Sequence, residues 1–153
     1  MRSIFVLTFF LFFQSCLISQ YDRLVTRPFV FMQRTACYGT CPQYDISIYL
    51  DGTIIYNGKL FVDKKGCFKS KLSHDNILYL KSVLSDISFF SLDNEYISQI
   101  TDIPSVITEV IINNQQHKII DRLNGPRELK NIYQTLDSIV HSVSYWDACS
   151  ESR

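Results

Sequence analysis

The feature that most constrains this chain is an alternation of apolar and polar residues around an aspartate–glycine pair. Tyr44, Ile46, Ile48 and Leu50 fall on one side of an extended segment, and Asp45, Ser47 and Tyr49 fall on the other. Asp51-Gly52 then intervenes before Ile54, Ile55 and Tyr56 resume the pattern. Side chains on a strand alternate between faces, so this stretch buries one face only as β-structure. The Asp-Gly pair between the two runs predicts a hairpin with a tight turn. The second strand extends from Asn57 to Val62, Lys64-Lys65-Gly66 turns the chain again, and Cys67 to Leu72 supplies a further short strand.

Other segments supply partners for this hairpin. Pro28 to Thr35, apolar at Phe29, Val30, Phe31 and Met32, reads as a first strand running into the Cys37 loop. Ser73 has the character of a helix N-cap, and Ile77, Leu80, Val83, Leu84 and Ile87 recur at helical spacing, which predicts a helix over about 74–87. Phe89-Phe90-Ser91-Leu92 reads as core packing. Residues 93–105 show no period and form the longest irregular stretch after the leader. A second hairpin follows, with Val106 to Ile112 turning at Asn113-Asn114 and returning from His117 to Arg122. A second helix starts near Pro126, with Asn124 as its cap and Leu129, Ile132, Tyr133, Leu136, Ile139, Val140 and Val143 as its apolar stripe. The element order is β-β-β-α-β-β-α. It predicts an α+β fold in which both helices lie on one face of an antiparallel sheet built from two hairpin-rich halves. At 153 residues and 46% apolar content, the chain suits one compact core. Residues 28–146 are read as that domain, 20–27 as a short linker and 147–153 as a C-terminal tail.

Charge excludes one class of partner. Fifteen basic residues balance fifteen acidic ones, and no basic stripe stands out, whereas a phosphate-binding surface needs an excess of Lys and Arg. Nucleic acid is therefore not an expected partner.

The N-terminus has the layout of an export signal. Arg2 precedes an apolar run from Ile4 to Phe13 broken only by Thr8, followed by Gln14-Ser15-Cys16 and Ser19-Gln20. A membrane span needs about 20 apolar residues, and this run stops well short. Two processing routes stay open for the leader, residues 1–19. Phe13-Gln14-Ser15-Cys16 has the form of a lipoprotein box, with Phe13 where Leu is usual, and would make Cys16 the lipidated membrane anchor. Small Ser19 suits ordinary cleavage before Gln20. Either route leads to the cell envelope: an outer-membrane lipoprotein facing the periplasm or the surface, or a soluble periplasmic or secreted protein.

Removal of the leader leaves Cys37, Cys41, Cys67 and Cys149. An even count in an oxidising compartment favours two disulfides, and three pairings are formally possible. The local spacing favours Cys37 with Cys41, because Gly39 between them can bend the chain back. Cys67 and Cys149 would then pair across a long loop, worth roughly 4 kcal/mol on loop entropy alone, with free or metal-bound thiols as the alternative.

The segment Cys37-Tyr38-Gly39-Thr40-Cys41-Pro42, followed by Tyr44, Ile48 and Asp51-Gly52-Thr53, resembles the bacterial family catalogued as domain of unknown function 6438. Gly58, Gly66, Phe90-Ser91-Leu92, Thr101-Asp102-Ile103-Pro104 and Gly125-Pro126 resemble its later blocks, so the likeness spans about residues 30 to 140. Cys67 and Cys149 are not part of that pattern. The resemblance implies an envelope protein of Bacteroidota-like bacteria and brings no activity, substrate or cofactor with it.

Two constellations are candidates for chemistry. Cys37 and Cys41 could form a redox-active dithiol, but three residues separate them and a strand follows, whereas redox pairs are usually spaced by two residues at a helix start, so a structural staple is the simpler reading. Tyr96, Asp102, Arg122 and Asn124 could converge as a ligand or metal site if the 93–105 loop folds over the second hairpin; the simpler reading is an Asp102–Arg122 ion pair pinning the loop. The histidines His74, His117 and His141 lack ligand spacing, so no metal is assigned. No nucleophile elbow, phosphate loop or dinucleotide fingerprint is present, and no catalytic residue or cofactor is assigned. The expectation is a non-enzymatic binding or structural module whose partner is an envelope protein or a cell-wall component. A thiol–disulfide protein and a small-ligand or metal binder at the Asp102 loop are the alternatives.

Overall fold

The computed structural model describes residues 27–149. The leader, Cys16 as lipid anchor, residues 20–26 of the linker and residues 150–153 of the tail lie outside them. The elements are β1 (Val30–Arg34), β2 (Gln43–Ile48), β3 (Thr53–Leu60), β4 (Gly66–Lys71), α1 (His74–Asp86), a 3-10 turn (Phe89–Ser91), β5 (Glu95–Tyr96), β6 (Val106–Ile112), β7 (Gln115–Asp121), α2 (Arg127–Ser142) and β8 (Asp147–Ala148). One eight-stranded sheet runs β5-β7-β6-β1-β2-β3-β4-β8. Every pairing is antiparallel except β5 with β7.

The class is α+β, but the element order differs from the expected one. The short strand expected from Cys67 to Leu72, left out of that order, is the full strand β4 (Gly66–Lys71), so four strands precede α1, and the two-residue strands β5 and β8 add to the sheet's edges. Strands that short carry no alternation, and a parallel partner such as β7 must come from a distant part of the chain. β8 lies within the stretch read as a tail and pairs with Phe68 and Lys69 of β4.

Alternation explains the layering. Val30 and Met32 of β1, Ile46 and Ile48 of β2, Ile54 and Tyr56 of β3, Val110 of β6 and Ile119 of β7 share one face of the sheet and are buried. Ile77, Leu80 and Leu84 of α1 and Leu129, Ile132, Leu136 and Ile139 of α2 join them in a single core cluster. Each such side chain contributes about 1.5–3 kcal/mol relative to exposure. The opposite face, with Phe31, Gln33, Asp45, Ser47 and Ile55, stays partly open to solvent.

Turn chemistry fixes the register. At the first hairpin the turn covers Tyr49 to Gly52, with the Gly52 amide donating to the Tyr49 carbonyl at 3.0 Å and the Tyr49 amide to Thr53 at 2.8 Å. Gly52 closes the turn at φ +87°, where a Cβ would also come 2.7 Å from the Leu72 carbonyl oxygen. Leu50 therefore sits on the turn and not on the buried face of β2. The second hairpin turns on Asn113 and Asn114, both at positive φ, as a two-residue hairpin demands.

The helix starts differ from each other. Ser73 caps α1 by accepting from the Asn76 amide at 3.2 Å. At α2 the cap position is Pro126, which offers no side chain, and Asn124 lies too far before the first turn to serve it. Asn124 instead donates to the Ile97 carbonyl at 2.6 Å, and the buried Asp121 carboxylate takes the Gly125 amide at 2.8 Å.

Candidate functional site

The connection from β1 to β2 carries the Cys37-to-Cys41 segment, with the two sulfurs at bonding distance, 1.89 Å. Gly39, at φ +149°, reverses the chain inside it, and Tyr38 at its tip is 89% exposed. The Tyr38 amide donates to the Asp102 carbonyl, and Thr35 and Ser105 bond through both backbone and hydroxyl, so the loop before β6 is tied to this connection. The tie joins the end of β1 to the segment leading into β6, and across the connection Arg34 comes directly opposite Tyr44.

Both side chains continue the phase of the buried residues on their strands, so they face the helices rather than the open side. There they meet Asp137 of α2. Arg34 donates through Nε to Tyr44 Oη at 2.6 Å and through Nη2 to Asp137 Oδ2 at 2.5 Å. Tyr44 Oη donates to Asp137 Oδ1 at 2.5 Å. Burial, then the Asp137 hydrogen bond and charge, push the Tyr44 phenol well above its ordinary value, so it acts as a neutral donor. Burial alone would lower the Arg34 value, but the Asp137 carboxylate outweighs it and the guanidinium is held charged. The cluster as a whole is neutral. Arg34 Nη1 has no partner among the described residues, and each Asp137 oxygen keeps accepting capacity.

This cluster forms one wall of a cavity of about 720 Å³ on the helix side of the sheet. Tyr44 and Tyr56 lie with ring centroids 5.5 Å apart, and Tyr56 and Trp146 lie 6.0 Å apart at 56°. Phe61 and Val62 line it from the β3–β4 loop, and Val140, His141 and Val143 line it from the end of α2. Two devices position the other walls. The segment after α2 is held by β8, by the Cys67 and Cys149 sulfurs at 1.97 Å and by Ser70 Oγ donating to the Tyr145 carbonyl. The β3–β4 loop folds back over Gly58, where any Cβ would run into the Lys64 carbonyl oxygen. A smaller cavity of about 540 Å³ beyond the Tyr145 strap is lined mainly by Lys, Ser, Thr and Asn side chains.

A mostly apolar cavity with a few convergent polar groups is the composition of a small-ligand site. The lining groups suit binding better than bond-breaking. His141 Nδ1 donates to the Asp137 carbonyl, Ser144 makes no hydrogen bond to it, and the Tyr44 proton is held tightly.

Of the polar residues singled out from sequence, Tyr96, Arg122 and Asn124 occupy the opposite end of the sheet. Tyr96 on β5 pairs with Asp121, its carbonyl accepts the Arg122 amide at 2.8 Å, and its hydroxyl accepts the Asp93 amide at 3.1 Å. Asn124 reaches the Ile97 carbonyl next door. Asp102 stands apart beside the Cys37–Cys41 loop, and no Asp102–Arg122 ion pair forms among the described residues. No metal-ligating cluster occurs among the described residues. Sequence reasoning does not single out Arg34, Asp137 or Trp146, and it singles out Tyr44 only as a strand residue and as part of the family resemblance, not as a site residue. A usable signal existed for two of them: Arg34 and Tyr44 are polar-tipped residues placed in phase with the buried positions of β1 and β2.

The family described as Domain of unknown function (DUF6438) matches residues 28–140. The chain belongs to that family. The DUF6438 segment contains Arg34, Tyr44, Asp137 and the Cys37–Cys41 loop, whereas Trp146 and Cys149 lie beyond it. No curated protein matches the chain.

Proposed function

We propose that this protein is an exported, non-enzymatic binding module of the cell envelope and that its ligand seats in the Trp146 cavity. The observation that carries this reading is the convergence of Tyr44, Tyr56, Phe61 and Trp146 with the neutral Arg34–Tyr44–Asp137 cluster around one open volume. Two cysteine pairs at bonding distance support an oxidising compartment, where disulfides persist. The export-type leader supports the same compartment, with Cys16 either a lipid anchor or discarded. No helix among the described residues is long and apolar enough to cross a membrane. The ligand site thus moves from the Asp102 loop expected from sequence to the cavity at the end of α2.

The test uses a property of the chain: Trp146 is its only tryptophan, so intrinsic emission reports from the cavity wall. Envelope-derived glycan and peptide fragments are titrated while emission and melting temperature are followed. A true ligand at a hundred times its Kd stabilises the fold by about 2.7 kcal/mol and moves the Trp146 emission in the same concentration range. Fragments that stabilise the protein without touching Trp146 would place the binding site elsewhere.

One observation favours the second reading, a thiol–disulfide protein using Cys37 and Cys41. Their loop is exposed at Tyr38, and exposed disulfides are the more readily exchanged. Equilibration in a glutathione buffer separates the two: a redox pair reduces at the buffer's potential, and a staple stays closed.

A further inference from the structure

We propose, building on the Trp146 cavity as the ligand site, that the ligand is a neutral sugar carrying an N-acetyl group, its amide set against Arg34 and Asp137 and its ring face against Trp146. The polar wall comes first. Arg34, Tyr44 and Asp137 neutralise one another, and the other lining charges, Asp63 and Lys64, are one of each sign, so the lining has no net charge to match a charged ligand. Beside the open volume remain guanidinium N–H donors on Arg34 Nη1 and accepting positions on the Asp137 carboxylate. A donor and an acceptor side by side are matched by a group that offers one acceptor and one donor without charge, and a secondary amide is that group.

The remaining walls restrict what can carry the amide. Tyr56, Trp146, Val140 and Val143 present apolar surface, and Asp63, Lys64, His141 and Ser144 add polar groups. A sugar ring has the same division, with C–H groups on a face and hydroxyls around the edge. Aromatic rings offer area at low entropic cost, and a volume near 720 Å³ accommodates a short saccharide.

A peptide, which also carries amides, fits less well. Extended peptides are recognised by adding to an unpaired strand edge. The strands under this cavity are β1, β2 and β3, and each is hydrogen-bonded on both sides. The strand edges of the sheet lie at β5 and β8, and neither lines the cavity.

The experiment titrates the mature chain with N-acetylglucosamine and its β-linked disaccharide, with glucose and cellobiose as partners that replace the acetamide by hydroxyl, and with N-acetylalanine methylamide as a neutral amide lacking a sugar. Trp146 emission and melting temperature are read together. The expected result is saturable change with the acetylated sugars, at least tenfold weaker binding of glucose and cellobiose, and loss of both signals in Val140→Phe, which fills the cavity from α2 without removing Arg34 or Asp137. Asp137→Ala, checked for folding by circular dichroism, is expected to lose the preference for acetylated sugars. Equal response to acetylated and hydroxyl sugars overturns the amide assignment and leaves the cavity as ligand site. Response to the amide alone overturns the sugar assignment and again leaves the cavity. Saturable binding of the acetylated sugars that survives Val140→Phe with Trp146 silent overturns the cavity reading and this inference together.

Discussion

The β5–β7 end of the sheet and the end of α2 over β1–β3 both gather tyrosine, aspartate and arginine, yet they commit those groups differently. At the β5 end most polar side chains serve the backbone: Asn124 holds the Ile97 carbonyl, Asp121 holds the Gly125 amide and the Tyr96 hydroxyl holds the Asp93 amide, while Arg122 Nε reaches Ser105 Oγ. At the α2 end Arg34, Tyr44 and Asp137 hold one another and border an open volume. Polar groups bonded to the main chain fix its path and have little left to offer. Groups bonded mutually beside a cavity are both positioned and available. That difference, rather than the presence of polar residues, separates a structural corner from a site.

The largest expected effect breaks the strap at the cavity end. Cys67→Ser with Cys149→Ser opens a closure of 82 residues and should cost about 4 kcal/mol on loop entropy, with Trp146 emission shifting to the red as the segment loosens. Cys37→Ser with Cys41→Ser opens a separation of only 4 and should cost about 2 kcal/mol on the same relation. Urea unfolding of both variants measures the contrast, and equal losses would mean that closure length does not govern it.

Next come two glycines, one at each end. Gly58→Ala forces a Cβ against the Lys64 carbonyl oxygen and should cost about 1–3 kcal/mol while displacing the Phe61–Lys64 wall and weakening ligand binding. Gly125→Ala brings a Cβ to 2.5 Å from Asp121 Oδ2 and should cost a similar amount, leaving binding unchanged. Calorimetry and ligand titration on the pair show whether the ends are functionally distinct.

Alkaline pH then probes both ends together. Burial, with Asp137 beside Tyr44 and Asp121 beside Tyr133, raises both phenols. Above the ordinary tyrosine value of about 10, the unfolded chain sheds these protons while the folded chain holds them. Stability is therefore full below that pH and falls as pH rises beyond it. Tyr44→Phe should flatten the alkaline fall measured by urea unfolding, and an unchanged slope would contradict the buried assignment.

The smallest effect belongs to Tyr133→Phe. Among the described residues the Tyr133 hydroxyl and Thr108 Oγ1 are buried without hydrogen-bond partners, so removing the former should leave stability unchanged or raise it by up to about 1 kcal/mol. A clear loss in thermal unfolding would reveal a partner for that hydroxyl.

Much of the fold was legible because it rests on repetition and local chemistry. The Ile46, Ile48 and Ile54 alternation, the Leu129-to-Ile139 stripe, Asn113-Asn114 and the Ser73 cap each state their structure within a few residues. β5 and β8 were not legible, since two residues carry no period and their partners, β7 and β4, are remote in sequence. The site was illegible for the same reason on a larger scale. Arg34 and Asp137 are 103 residues apart, and Trp146 reaches the cavity only because the chain beyond it is bonded back to β4. Asn124, by contrast, looked like a cap from its neighbours and was recruited by a carbonyl 27 residues away.

The most direct test follows three side-chain N–H signals by nitrogen-edited NMR while the N-acetylglucosamine disaccharide is added: the Trp146 indole, Arg34 Nε and the Asn124 amide. The expected result is that Trp146 and Arg34 shift together and saturate while Asn124 stays still. Movement of Asn124 with Trp146 and Arg34 unchanged would put the binding site at the β5 end and contradict the assignment of the cavity.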